Sequence, residues 1–465
     1  MFGPDADTIP VPCSNRLTVT NLTEQHRVVQ VDPHRSARRE PDLQHEPKPV
    51  GRHINQSSLD RPVGVLEVRD RHRLIGPEAR CASSFHKSLI GAEEESMSSS
   101  TNPAGLWDNA SMTRRGILIG GAAALSAAET TPHRLPRSVR LGVIGSQGHL
   151  SDVLAHLPRL PDVRAVAFAD SDPKDLKRLT GNSALSGAKA YADYREMLSR
   201  EQLDVVAVTN DNGNRAAAVI ACAERKIHVI AEKPLALTLE DLARVRQAVE
   251  ANRIKMSMLF AMRCSPRYQA MRALVASGEI GEVAQIASQK SYRTASWPEW
   301  RRNRKTYGGT MPWIGIHMVD LMRWITGREF TQAAGFETQI GFRHLGEVEN
   351  ATATIFRLDN SGVALLRMDY LRPAAAPSHG DDRLRVAGTK GVVEYQESTG
   401  LTLVTGEKKP EVVGSLPAER SLFVEFLDFV YDGKPPTVTL DDIYRNTEIV
   451  IKAQQAAREG IVVRL

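Results

Sequence analysis

The chain predicts an α/β protein with two unlike halves: a doubly wound parallel sheet first, then an α+β domain on an open, largely antiparallel sheet. Three observations carry that expectation. Residues 140–172 run strand, glycine turn, helix, strand. Strand and helix patterns then alternate as far as Phe260. Beyond residue 326, strand-like stretches follow one another with turn residues rather than helices between them.

In the opening stretch Leu141, Val143 and Ile144 form an apolar run that meets Gly145-Ser146-Gln147-Gly148, and a second run, Val163 to Ala169, stops at Asp170. Gly145 permits a sharp turn, backbone N–H groups opening the next helix can face a pyrophosphate, and an acid at the second strand's end can accept from a ribose diol. A carboxylate there repels a 2′-phosphate, so NAD is favoured over NADP as cofactor. In a G-x-G-x-x-G register from Gly145 the later positions are Gln147 and Leu150, with Gly148 a residue late. The reading therefore rests on the strand before, the helix after and the acid downstream.

The remaining elements follow in order. Asp175 to Leu179 and Tyr191 to Ser199 read as helical, Leu203 to Thr209 as a third strand, and Arg215 to Arg225 as a helix. Ile227 to Ala231 is a fourth strand ending in Glu232-Lys233-Pro234; a helix, Leu239 to Ala251, and a strand, Lys255 to Phe260, come next. Ligands of such sheets bind at the carboxyl ends of the strands, where Asp170, Thr209, Asn210, Glu232 and Lys233 fall. The second half reads as helix Pro266 to Ser277, strand Val283 to Arg293, an aromatic and basic loop, and helix Pro312 to Thr326. Strands follow at Gln332 to Phe342, Ala351 to Leu358, Val363 to Leu371, Leu384 to Ala387, Val392 to Gln396 and Leu401 to Val404; helices Glu419 to Tyr431 and Leu440 to Arg458 close the chain.

Length and composition bound the partners. The 465 residues suffice for two domains and an appendage, at an ordinary 42% hydrophobic and 25% charged. The net charge of +5 comes from scattered Lys and Arg with no basic run interleaved with aromatics, so no nucleic-acid partner is expected. Four dispersed cysteines make neither a disulfide framework nor a zinc site, and no metal is expected. Residues 1–111 read as a disordered or spurious extension, with Met97 and Met112 as candidate true starts. Within 112–138, Arg114-Arg115 precede a short apolar run and a small-residue exit, Ser126-Ala127-Ala128, followed by a Pro-bearing linker. That pattern predicts a twin-arginine export signal to the periplasm, too short for a stable membrane anchor; a small N-terminal helix on a cytoplasmic protein is the alternative. Domains are then expected at 139–262 and 263–465.

Two side chains stand out chemically. Lys233 follows a strand end beside the proposed crevice, where burial would depress its pKa and let it share a hydroxyl proton. His317 lies in MPWIGIHMVDLMRW, where Trp313, His317 and Asp320 share a face at helical spacing and Asp320 could orient the imidazole. A surface turn and a core histidine are the plain alternatives.

Gly142-Val143-Ile144-Gly145, Asp170, Tyr194-Arg195-Glu196-Met197-Leu198, Glu232-Lys233-Pro234, Arg263 with Pro266, Ile280-Gly281-Glu282-Val283, Gly308-Gly309, Gly315-Ile316-His317 with Asp320, and Val386 to Gly391 occur in this order. Together they resemble the Gfo/Idh/MocA oxidoreductases over Val139 to Leu465. The resemblance implies an N-terminal Rossmann domain, a C-terminal domain with an open sheet, and NAD(P)-dependent hydride transfer on a sugar or polyol, with Lys233 and His317 matching the catalytic lysine and histidine. Three positions depart from the pattern: Gln147 for the middle glycine, Asn214 where many members carry histidine, and Trp313 for the usual active-site aspartate four residues before His317.

The expected site therefore has Gly145, Ser146, Gln147, Gly148, Asp170, Thr209, Asn210, Glu232 and Lys233 around the cofactor, and Lys233 with His317 as catalytic pair. Arg263, Tyr292, Trp313 and Asp320 are expected toward substrate, Trp313 by stacking on a sugar ring. Tyr292, Trp297, Trp300 and Arg301 read as pocket walls or interface. A homo-oligomer through the open sheet is expected, since open sheets seek cover. An exported member would hold its cofactor tightly. Two rival readings are a glycoside-cleaving enzyme using NAD transiently and, because of Trp313, a non-catalytic cofactor-binding protein.

Overall fold

The computed structural model describes residues 132–465 except 295 and 296. The expected extension, 1–111, and residues 112–131 of the expected signal and linker lie outside the described residues.

Six strands form the first sheet: β1 (Val139–Ile144), β2 (Val163–Ala169), β3 (Lys189–Tyr191), β4 (Val205–Val208), β5 (His228–Ala231) and β6 (Met256–Met258). Their order is β3-β2-β1-β4-β5-β6, with every pairing parallel. This is the Rossmann order, and it reverses between β1 and β4, so the crevice opens where Ile144 and Val208 end. β4, Val-Val-Ala-Val, is buried throughout, as a strand covered on both faces must be. The short β3 has no run long enough to show in sequence.

Side-chain caps set the helix starts. Asp172 accepts from Lys174 N ahead of α2 (Pro173–Thr180), Asp193 caps α3 (Tyr194–Arg200), Asp211 caps α4 (Asn212–Glu224) and Thr238 caps α5 (Leu239–Asn252). The helix after β1 is different: α1 is only Ser151–Leu154 and cannot cover the sheet. A helix from the far end of the chain does so instead. Phe423, Phe426 and Leu427 of α9 (Leu422–Tyr431) pack with Leu141, Val143, Val205 and Ile230. Each is fully buried, which is worth about 1.5–3 kcal/mol per side chain.

Between them, α6 (Pro266–Ala276) precedes β7 (Val283–Tyr292), and the short α7 (Arg304–Tyr307) and a π-helical turn, Met311–Gly315, lead into α8 (Ile316–Thr326). The second sheet adds β8 (Phe330–Thr338), β9 (Ala351–Leu358), β10 (Val363–Asp369), β11 (Gly380–Gly388), β12 (Gly391–Gln396), β13 (Gly400–Thr405), β14 (Glu411–Val412) and β15 (Val463–Arg464). Its order is β14-β13-β12-β11-β7-β10-β9-β8-β15, antiparallel except for β10 against β7. Alternation on β9 and β10 turns Phe356, Leu358, Ala364 and Leu366 to a core shared with α8 and α10 (Leu440–Glu459), and leaves Ile355, Val363 and Leu365 exposed. Among the described residues no helix is long and apolar enough to cross a membrane.

Candidate active site

The glycine turn is pinned from below by β4. Gly145 has φ +81° and Gly148 φ +62°, and a Cβ would come within 2.2 Å of Asn210 N at the first and 2.5 Å of Glu232 Cδ at the second, so both positions require glycine. Thr209 carries the turn: its N–H donates to Ile144 O at 2.6 Å, its hydroxyl to Gly145 O at 2.9 Å, and its carbonyl accepts from Gln147 N at 2.8 Å. Expected as a cofactor contact, Thr209 is buried and committed to the turn, which corrects that expectation. Neither Ser146 nor Gly148 has its backbone N–H bonded to another described residue. Asn210 Oδ1, at the end of β4, is buried without a partner.

Asp170 closes one side of the crevice. It accepts from Ser146 Oγ at 3.2 Å and from Asp172 N at 3.0 Å, and burial, with Asp175 nearby, pushes its pKa up to about 6. Arg178 donates to Ser146 O at 2.9 Å and pairs with Asp175. Gln147 spans the two halves of the molecule: its amide donates to Asp175 at 2.6 Å, and its oxygen accepts from the Trp300 indole at 3.2 Å.

Lys233 is buried at the end of β5, beside the cis peptide bond to Pro234. Its ammonium donates to the Trp313 carbonyl at 2.5 Å, lies 3.7 Å from the centre of the Trp313 ring and sits 3.5 Å from Glu232 Oε1. Burial pushes its pKa down to about 7 against the pull of Glu232, with Lys290, Arg215 and Arg301 adding to the depression. Glu232 is fully buried yet held at about 2, because His149, Lys233 and Arg215 outweigh the burial penalty. His149 Nδ1 lies 2.9 Å from Glu232 Oε1, and His149 N donates to Oε2 at 3.1 Å.

His317 comes to the same place from α8. Its ring meets the His149 ring edge to face at 5.1 Å, and Nδ1 is buried without a partner. Burial first, then Lys233, Lys290 and His149, hold its pKa well below the usual histidine range, so the imidazole is neutral. The structure thus brings Lys233, His317, Glu232 and the glycine turn together.

Three of the four expected substrate residues have other employment. Asp320 does not orient His317: it accepts from Arg263 Nε at 2.9 Å and from Asn446 at 2.7 Å. Arg263 is equally committed, donating also to Thr437 O at 2.9 Å and Asp442 at 3.0 Å, so the pair pins α8 to α10 rather than facing a ligand. Trp313 is buried, with Lys233 and the Arg301 guanidinium over its ring and Trp300 at its edge, which leaves no open face for a sugar. Tyr292 remains half-buried on the sheet, its hydroxyl donating to Asp382 at 3.1 Å. Trp297 packs inward against Tyr307 and Tyr370 as wall, and Asn214 is spent on Asp211 at the start of α4.

The sequence reading missed His149, Arg178 and Lys290. His149 directly follows Gly148, a signal that was present. Lys290 shares the inward face of β7 with Ile286 and Ser288, and its ammonium reaches Asp382 at 2.7 Å.

The fit to a dinucleotide is good: two glycines with no room for a side chain, N–H groups of Ser146 and Gly148 not bonded to described residues, a carboxylate at the end of β2 and an unpaired amide oxygen beyond β4. Fold and site define an NAD-binding oxidoreductase. Residues 139–260 match the model of the oxidoreductase family with an NAD-binding Rossmann fold, and 268–394 match the Gfo/Idh/MocA C-terminal domain. The chain belongs to the Gfo/Idh/MocA family. It is 27% identical over 316 residues to the myo-inositol 2-dehydrogenase of Thermotoga maritima, covering 65% of this chain and 92% of that protein. A Thermotoga maritima structure described by class, as an oxidoreductase, matches with a TM-score of 0.65 and 31% identity over 70% of this chain and all 100% of its own. The aldose–aldose oxidoreductase of Caulobacter crescentus shares the fold, with a TM-score of 0.62 at 22% identity over 71% of this chain and 100% of that one.

Proposed function

We propose that this NAD-dependent dehydrogenase oxidises a secondary hydroxyl of a cyclic polyol or sugar, with inositols the first class to test. The observation that carries the proposal is the convergence of Lys233 and His317, one at the Trp313 carbonyl and the other one helical turn on, beside the glycine turn. The name of the Thermotoga maritima relative, matched over 92% of its length, points to the substrate class. Bound NAD supplies the redox step, exchanging two electrons and one hydrogen with the carbinol carbon.

The residues have distinct proposed tasks. Ser146 and Gly148 N–H groups hold the pyrophosphate, Asp170 the adenosine ribose and Asn210 the nicotinamide end, with Gln147 and Glu232 shaping the floor. Lys233, half-protonated near neutral pH, polarises the reacting hydroxyl and shares its proton with the neutral His317. Tyr292 and Lys290 present the sheet side of the pocket. The test is a panel of inositols and aldoses with NAD, followed by nicotinamide absorbance; reduction with at least one polyol supports the reading, and silence across the panel with NAD demonstrably bound removes it.

Two further parts of the proposal concern assembly and location. Phe336, Ile355, Val363 and Leu365 make an exposed apolar stripe on β8, β9 and β10, suited to an isologous contact with a second copy. Light scattering of the Ile355→Lys variant tests it: a monomer is expected, and an unchanged mass would contradict it. Export by the twin-arginine signal within 112–138 is tested by fractionating cells that express the full chain and a variant with Arg114 and Arg115 both changed to Lys; loss of periplasmic protein in the variant is expected.

A further inference from the structure

A proton collected at His317 has a narrow choice of exits. The ring is buried, and of the ionisable groups acting on it, Lys233 and Lys290 are buried as well. His149 alone among these is open to solvent, with 31% of its side chain exposed. Its ring meets the His317 ring edge to face, centres 5.1 Å apart, and is anchored by a carboxylate with no exposure at all.

That anchor fixes the chemistry of the ring. Glu232 is ionised and only accepts hydrogen bonds, so Nδ1, 2.9 Å from Oε1 and 3.1 Å from Oε2, must carry the hydrogen. With Nδ1 engaged by the acid, Nε2 is the ring nitrogen left to take up or release a proton. The backbone N–H of the same residue also donates to Glu232 at 3.1 Å, so chain and ring are gripped together and the ring cannot swing freely. The charged and titratable groups around it are Glu232 and Lys233 at the end of β5, His317 on α8 and Asp152 on α1.

We propose that His149, oriented by Glu232, is the proton exit of this active site, exchanging the substrate-derived proton between His317 and water. The inference rests on the dehydrogenase reading above. In the oxidising direction the hydroxyl O–H bond breaks and its electron pair becomes the second C–O bond, while the carbinol hydrogen leaves with its electron pair for the oxidised dinucleotide. The hydroxyl proton passes through the Lys233–His317 pair to His149 Nε2, and the resulting imidazolium, neutralised by Glu232, gives it to water. Atoms and charge balance as alcohol plus oxidised dinucleotide giving ketone, reduced dinucleotide and one proton. Glu232 is a positioning residue in this scheme, since it holds the tautomer and gives up no proton.

The experiment separates proton exit from chemistry. In His149→Ala and His149→Gln, steady-state turnover is expected to fall by about 100-fold. The first equivalent of reduced dinucleotide should still form at the wild-type rate in a single turnover, and free imidazole should restore steady-state turnover of the alanine variant. In the cofactor-free protein, nitrogen chemical shifts of His149 should report hydrogen on Nδ1, and Glu232→Gln should abolish that preference. Steady-state rates within about threefold of wild type, equal loss of single and multiple turnovers without imidazole rescue, or hydrogen on Nε2 would each overturn the proposal. A wild-type enzyme inert toward every polyol would instead remove the dehydrogenase reading, with the nitrogen shifts still reporting whether the His149–Glu232 pair exists.

Discussion

Two clusters of buried charge meet the same stretch of helix, residues 311–326, and they are built on opposite plans. Around Arg263 every charge is matched: Nε and Nη2 reach Asp320, Nη1 reaches Asp442 and Thr437 O, and Asn446 supplies Asp320 with a further donor. Around Lys233 the balance is unequal. Burial, with Lys290, Arg215 and Arg301 nearby, acts on Lys233 against the pull of Glu232, and His317 keeps a buried nitrogen with no partner. Burial without full compensation costs stability but leaves protons available near neutral pH; burial with full compensation holds helices together and offers no chemistry. Residues from both clusters look alike in sequence, and the difference between them is satisfaction, not burial.

The largest expected effect comes from removing the ammonium. Lys233→Met should lower turnover by about 10³-fold while leaving dinucleotide binding, measured by fluorescence titration, largely intact. Its melting temperature should not fall, because Glu232 keeps His149 and Arg215 beside it while an ammonium disfavoured by burial gives way to an apolar chain of similar length. A steep loss of stability would erase the contrast. Asp320→Ala should do the reverse. Stranding Arg263 should cost about 3–5 kcal/mol in urea unfolding, with turnover per folded molecule within an order of magnitude of wild type.

The pH dependence sharpens the same comparison. Lys233 titrates at about 7 in the folded protein against an ordinary 10.5, so between those values the unfolded chain binds more protons and wild-type stability rises with pH. The penalty is fully present below pH 7 and is relieved toward 10.5. The stability advantage of Lys233→Met over wild type should therefore shrink from pH 7 to 9, by on the order of 2 kcal/mol; a gap that does not change would mean that Lys233 keeps its ordinary pKa. The smallest effect is steric. Gly148→Ala should cost about 1–2 kcal/mol for its positive φ and weaken NAD binding, as its Cβ displaces Glu232.

Much of this fold could be read from the chain because its signals are local. Apolar runs bounded by Asp or Asn mark β2 and β9 at the bounds the structure shows, and the order of strand, glycine turn, strand and acid marks the crevice. What could not be read depends on distance along the chain. Glu232 and His149 meet across 83 residues, Arg263 and Asp320 across 57, and α9 returns from the end of the chain to cover a face that α1 is too short to close. Helical spacing suggested that Asp320 serves His317, yet a carboxylate takes the strongest donor in reach, and a guanidinium was there. Trp313 was misread for a different reason. It lies in the π-helical turn over Met311–Gly315, and its ring is taken up by Lys233, Arg301 and Trp300, partners that are distant in the chain.

The central claim is that a dinucleotide and a polyol meet where Lys233 and His317 converge. The most direct measurement is NAD reduction by the wild-type protein and by Lys233→Met, each with NAD binding verified, across the same inositols and aldoses. The expected result is reduction by the wild type with at least one polyol and none above background by the variant, both holding NAD. Equal rates from the two proteins would contradict the account.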